Sequence, residues 1–298
     1  MIPREEGFLL LTGQLGDPDR RPLTTAQLRF LGQHAQGALP ADDPRELTRE
    51  DLIAMGCEPC FADRVLSLLE DTELLHQYLR KAKRAGCIPL SRVSEGYPDP
   101  VRNRLGLEAP GCLWAKGDLS LLERPAVALV GSRDLEQDHE CFAREVGRQA
   151  ALQGFVLVSG NARGADRAAQ EACLAAGGQV ICVVADELAR HELVPGMLYL
   201  SEDGFDLSFS SQRALSRNRI IHCLGLRTFV ARCGLRQGGT WDGTMRNLSR
   251  GWSLVYCFDD GSESIQQLIH AGAEPVLLNK LHDFAGLPVP VFRIFDQW

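Results

Sequence analysis

Ala126-Val127-Ala128-Leu129-Val130-Gly131-Ser132-Arg133 is the stretch that decides the fold. Its apolar run is too short for a buried helix and is closed by a glycine, so it reads as a strand covered on both faces. The same shape returns at 155–158 before Ser159-Gly160, at 180–185, at 228–231 and at 254–258. Helical patterns alternate with these runs. Residues 141–153 place Phe142, Val146 and Ala150 on one face and stop at Gly154. Residues 165–176 stop at Gly177-Gly178, and helices at 212–224, 240–248 and 262–270 follow, the last ended by Gly272. Buried strands separated by helices predict an α/β domain, a doubly wound parallel sheet with helices on both faces. Ligands of such sheets lie outside the carboxyl ends of the strands, at the point where the strand order reverses.

Upstream of residue 120 the pattern is mostly helical. Leu28 and Leu31 sit at helical spacing within 24–35, and Thr48-Arg49-Glu50-Asp51 reads as a capping box before Leu52 and Ile53. Helices are expected at 60–69 and at 72–85, the second with Arg80, Lys81, Lys83 and Arg84 in its last turns, where cations suit the helix dipole. The Pro/Gly-rich stretch 89–117 reads as a connecting lobe. The expected division is a helical N-terminal domain at 1–90, the α/β domain with its lead-in at 91–275, and a short tail at 276–298 without a winged helix.

With 298 residues, 45% hydrophobic and 24% charged, the chain has the composition of an ordinary globular protein and needs no disulfide staple. No apolar run reaches the roughly 18 residues of a membrane helix, and the start Met1-Ile2-Pro3-Arg4-Glu5-Glu6 is no signal peptide. A cytoplasmic protein with reduced thiols is expected. Cys57 and Cys60 form a Cys-x-x-Cys without a second pair, so buried helix-end cysteines are a better reading than a zinc site. The net charge of −7 speaks against general nucleic-acid affinity and leaves only a local patch.

Three strand ends carry such a patch. The first is Gly131-Ser132-Arg133 and the second Ser159-Gly160-Asn161-Ala162-Arg163-Gly164-Ala165-Asp166, each feeding a helix N-terminus that attracts anions. The third combines Arg217-Asn218-Arg219 with Gly238-Gly239-Thr240 at the start of a later helix. Residues 124–258 hold fifteen arginines and no lysine against fourteen acidic residues, a bias that favours planar phosphate or carboxylate recognition. An anion pocket follows, and whether its occupant is a strand backbone or a free nucleotide stays open. Asp166 reads as a first-turn charge rather than a base. No nucleophile elbow, Walker lysine, Gly-x-Gly-x-x-Gly or paired histidine ligand is present, so no catalytic constellation, cofactor or metal is expected.

In this order the motifs resemble the DprA/Smf family of DNA-processing proteins. The resemblance rests on Glu95-Gly96-Tyr97-Pro98, on Lys116-Gly117-Asp118, on the turn at Gly131-Ser132-Arg133, on the loop Ser159 to Asp166, on Arg217-Asn218-Arg219-Ile220-Ile221, and on Leu268-Ile269 with Gly272-Ala273. It implies a Rossmann-like domain preceded by a sterile-alpha-motif-like domain, binding of single-stranded DNA, loading of the recombinase RecA in natural transformation or recombination, and a homodimer. It also implies that Arg133, Arg163, Arg217 and Arg219 border the strand, with Gly131, Ser132, Ser159 and Gly160 as donors; Phe209 and Trp241 are candidates for base stacking. Departures are Gln170 where the family carries His, Ala231-Arg232 where it carries Glu-Ala, and Gly238-Gly239-Thr240-Trp241 where it carries a Ser-Gly-Ser or Ser-Gly-Ala block. Two other functions compete. A nucleotide sensor would use the same arginines on a free phosphate. A phosphoribohydrolase is suggested by the similarity of Gly238-Gly239-Thr240-x-x-Gly243-Thr244 to that family's Gly-Gly-x-Gly-Thr block, but Met245-Arg246-Asn247 stands where its glutamate would follow.

Overall fold

The computed structural model describes residues 2–35 and 47–290. Five helices come first: α1 (Pro3–Thr12), α2 (Thr25–Ala35), α3 (Arg49–Ala54), α4 (Pro59–Glu70) and α5 (Thr72–Arg84). Strand β1 (Ile88–Ser91), α6 (Asp99–Leu105) and β2 (Cys112–Gly117) follow. The alternating part then runs β3 (Ala126–Val130), α7 (Gln137–Leu152), β4 (Val156–Ser159), α8 (Ala165–Ala175), β5 (Val180–Val183), β6 (Met197–Glu202), α9 (Ser211–Ser216), α10 (Asn218–Leu224), β7 (Arg227–Val230), α11 (Gly238–Arg250), β8 (Leu254–Phe258), α12 (Glu263–His270) and β9 (Glu274–Val276).

All nine strands among the described residues join one sheet in the order β1-β2-β6-β5-β4-β3-β7-β8-β9. The pairings from β6 through β9 are parallel, as the unbroken apolar runs require. Every residue of β3, β4 and β5 is buried. The expected connecting lobe at 89–117 instead supplies β1 and β2, which extend the sheet antiparallel from β6. Their pleat pairs Leu113 with Glu202 and Ala115 with Leu200, so Pro/Gly-rich flanks do not prevent this short ladder from forming on an existing edge. The single helix expected at 212–224 is broken at Arg217. Ile220 N–H donates to the Arg217 carbonyl at 2.9 Å, a tightened turn that restarts the helix.

One core lies on each sheet face. Leu9, Leu10, Leu75, Tyr78 and Ala82 of α1 and α5 share the core of one face with Phe142, Val146 and Phe229. Leu52 of α3, Met55 at its C-terminus, and Ala62, Val65 and Leu68 of α4 form a separate small core with Leu23. Cys57 is buried there and Cys60 exposed, and all ten cysteines are unpaired. Within 276–290, the segment expected as a tail, Leu281, Phe284 and Leu287 enter the main core. Gln153 fixes that segment, donating to the Leu281 carbonyl and accepting from the Phe284 N–H. No helix among the described residues is long and apolar enough to cross a membrane.

Candidate functional site

The chain leaves β3 for β4 on one side and returns as β7 on the other, so the strand order reverses between β3 and β7. A cavity of about 650 Å³ opens there, walled by Gly131 to Asp134, by Leu215, Arg217 and Asn218, and by Gly238 to Thr240. A second cavity of about 400 Å³ lies beside it, bounded by Gly160 to Arg163 and by Ala185 and Asp186. Arg133, Ala162, Phe209 and Arg217 line both, so the two form one groove across the carboxyl ends of β7, β3, β4 and β5.

Local geometry builds the floor. Gly164 has φ +85°, and a Cβ there would strike the carbonyl oxygens of Ser132 and Arg133, so the turn into α8 accepts only glycine. Asp166 is buried, and its carboxylate accepts from the N–H groups of Gly160 at 3.0 Å and Ala162 at 3.2 Å. It ties the 160–162 loop to the first turn of α8. Burial pushes its carboxyl up, against the pull of the Arg217 guanidinium. The Arg217 guanidinium lies against Gly160, in the volume a Cβ would occupy, and donates to the Val183 carbonyl at 2.6 Å. Burial lowers the Arg217 pKa, with Asp166 opposing, and its Nε has no partner. Asn218 donates to the Gly239 carbonyl at 3.0 Å and so joins α10 to the start of α11, which no side chain caps. Its free N–H groups face the groove with the positive end of the helix dipole.

The rim is charged. Arg133 is exposed and makes no hydrogen bond or ion pair among the described residues. Arg163 pairs with Asp134 at 3.1 Å, both side chains being largely exposed. Arg232 reaches Glu136 at 3.0 Å. Phe209 is 54% exposed at the waist of the groove, whereas Trp241 is 8% exposed and belongs to the core.

Two expected site residues lie elsewhere. Ser159 is fully buried behind the groove and accepts from Gln170, so its hydroxyl is spent inside the fold. Arg219 points away from the groove and pairs with buried Glu202 at 2.8 Å. Burial pushes the Glu202 carboxyl up, and Arg219 opposes that rise. Ser132 faces the groove, with its N–H donated to the Arg232 carbonyl at 3.0 Å. Asn161 lines the second cavity with φ +57°. Sequence reasoning missed Asp134, Leu215 and Gln237, which line the groove. Asp134 was the findable one, since it continues the turn that carries Arg133.

Residues 90–284 match the family model described as DNA recombination-mediator protein A. The chain belongs to this family. DNA processing protein DprA of Streptococcus pneumoniae is 32% identical over 182 residues, 57% of this chain and 64% of that protein. Protein Smf of Escherichia coli is 31% identical over 156 residues, 49% of this chain and 41% of that protein. The chain thus spans less than two thirds of the length of either relative. The X-ray structure of the pneumococcal protein superposes with a TM-score of 0.68 at 26% identity, covering 92% of this chain and 95% of that one. A structure of the Helicobacter pylori DNA processing protein A, which describes that protein's single-stranded DNA binding mode, has the same fold (TM-score 0.53, 22% identity, 65% of this chain and 95% of that one).

Proposed function

We propose that the groove of this family member binds single-stranded DNA, and that the chain presents the bound strand to RecA, as a homodimer, during recombination or natural transformation. The observation that carries the reading is the waist of the groove. There an unpartnered guanidinium, Arg133, and an exposed ring, Phe209, stand together between two adjoining cavities. A strand offers the matching pair, a phosphate and a base, repeated along its length. Gly131, Gly160, Gly238, Gly239 and Thr240 bring backbone close to the path, and Arg163 and Arg217 flank it. The groove supplies a local patch that the overall charge of −7 does not. The binding mode described for the Helicobacter pylori relative supports the choice of single strands. Each carboxylate lining the groove already has partners: Asp134 holds Arg163, Asp166 the loop N–H groups, and Asp186 His191. That favours binding over hydrolysis.

The test is fluorescence anisotropy of a labelled thymidine oligonucleotide, titrated at several salt concentrations against duplex and free nucleotide. Single-strand binding that falls with salt is expected. Saturation by a free nucleotide without strand binding would favour the sensor reading and overturn this one. Sedimentation of the free protein and RecA nucleation on the coated strand check the dimer and the loading step.

A further inference from the structure

Phe209 is the last residue but one of a loop, 203–210, whose other side chains do not line the groove. Its ring is exposed, and an exposed phenylalanine on a free loop would be a poor platform because ordering it costs entropy. This loop is braced instead. Phe205 is buried against Tyr78 of α5 and Trp114 of β2, with ring centroids 4.8 and 5.0 Å away. The next residue, Asp206, accepts from the Tyr78 hydroxyl at 2.7 Å and from Lys81 Nζ at 2.6 Å. Its side chain is only 13% exposed. Leu207 and Ser208 give their carbonyls to Arg213 Nη1 at 2.9 and 3.0 Å, and Arg213 also reaches the Ala185 carbonyl at 2.8 Å. Each residue from Phe205 to Ser208 is therefore anchored, and Phe209 is the first that is not. Two of the anchors, Tyr78 and Lys81, come from the N-terminal helical region, more than a hundred residues away in sequence.

We infer that Asp206, gripped by Tyr78 and Lys81 of α5, is a positioning residue that holds Phe209 at the waist of the groove, so that the N-terminal helices set how well bases stack there. The inference rests on the strand-binding reading for what Phe209 stacks against. The brace itself does not depend on DNA. It also gives Lys81, one of the basic residues of the last turns of α5, a partner beyond the helix dipole. Lys81 becomes half of a clamp. Whatever displaces α5 from Asp206 would loosen the platform without touching a single phosphate contact.

The brace separates base from backbone, and the test uses that separation. Affinity is measured for a thymidine oligonucleotide and for an abasic oligonucleotide of the same length, using wild type, Phe209→Ala, Asp206→Ala and Tyr78→Phe. Tyr78→Phe keeps the ring cluster and removes only the hydroxyl, so it covers the case in which Asp206→Ala folds poorly. Loss of one stacked base corresponds to roughly tenfold weaker binding. Phe209→Ala should lose that on the thymidine strand and nothing on the abasic one. Asp206→Ala and Tyr78→Phe should lose part of it, about threefold or more, with the salt slope unchanged, and neither should add to Phe209→Ala in the double variant. Equal weakening on both strands, or no weakening, would overturn the inference. A Phe209→Trp reporter in the free protein keeps the two proposals separate. Its indole should become more accessible to acrylamide when Asp206→Ala or Tyr78→Phe is added, even if no strand binds. Unchanged quenching would sink the brace whatever the ligand proves to be.

Discussion

Replacing Arg133 by alanine isolates the electrostatic part of the groove. The side chain is exposed, makes no hydrogen bond or ion pair among the described residues and acts on buried Asp166 and Arg217 only through its charge, so its loss leaves no buried group without a hydrogen-bond partner and opens no cavity. Surface changes of that kind alter stability by no more than about 0.5 kcal/mol. A charge-assisted contact to one phosphate contributes about 1.5 kcal/mol at the weaker end of its range, the appropriate end for an open groove. That corresponds to roughly a tenfold rise in Kd. Each phosphate neutralised on a single strand also adds about 0.7 to the slope of log affinity against log salt. Arg133→Ala should therefore reduce that slope by about 0.7. Arg163→Ala should cost less, about threefold, because Arg163 must share its charge with Asp134 at 3.1 Å before it meets a phosphate. Arg144→Ala, on the far end of an ion pair with Glu140, is the control and should change neither number. Anisotropy titrations across a range of salt measure Kd and slope together. A Kd for Arg133→Ala within twofold of wild type and an unaltered slope would place the strand elsewhere.

Other substitutions test the packing beneath the groove. Gly160→Ala puts a methyl group where the Arg217 guanidinium lies; the clash should cost about 1–3 kcal/mol, lower the melting temperature and weaken strand binding although no charge is removed. Arg219→Met should destabilise by about 3 kcal/mol, because Glu202 stays buried without its cation, while strand affinity in the still-folded fraction is unchanged. Denaturant unfolding and anisotropy separate those outcomes, and loss of affinity without loss of stability would return Arg219 to the site. His222 is buried, its Nδ1 accepts from Asn247 at 3.1 Å, and burial pulls its pKa down to about 3. The unfolded chain takes up that proton and the folded one does not. The contribution is present above pH about 6.5 and is lost at about 1.4 kcal/mol per pH unit as the pH falls towards 3. Melting temperatures of wild type and His222→Gln across that window should converge at low pH, and parallel curves would contradict the assignment.

The sequence by itself determined the five adjacent parallel strands β5, β4, β3, β7 and β8 and the loops at their carboxyl ends, while β1, β2, β6 and β9 carried no pattern that marked them as strands. Apolar runs such as Val127 to Val130 can be buried only between two layers of helices. Glycines at 131, 160 and 164 mark turns where backbone and side chains pass too closely for a Cβ, and those turns lead into helix starts. All of this is local information, carried by neighbouring residues. Tertiary structure decided which side chains reach the groove. Arg217, at the junction of α9 and α10, and Arg219, in the first turn of α10, are two residues apart, and packing decides which of them faces the cleft. Packing against Gly160 and Val183 selected Arg217, while Glu202 on β6 claimed Arg219. Ser159 is a strand-end hydroxyl like Ser132, yet Gln170 covers it. The lead-in at 89–117 holds no pattern that marks a strand, and it became β1 and β2 because β6 offered an unpaired edge. Phe209 and Trp241 were equal candidates for stacking in the sequence, and burial of Trp241 in the core left Phe209 alone at the groove. Its place at the waist of the groove depends on Tyr78, Lys81 and Arg213, contacts that come together only when the chain has folded, because hydrogen bonds and ion pairs are made by proximity in space and leave no period in the sequence.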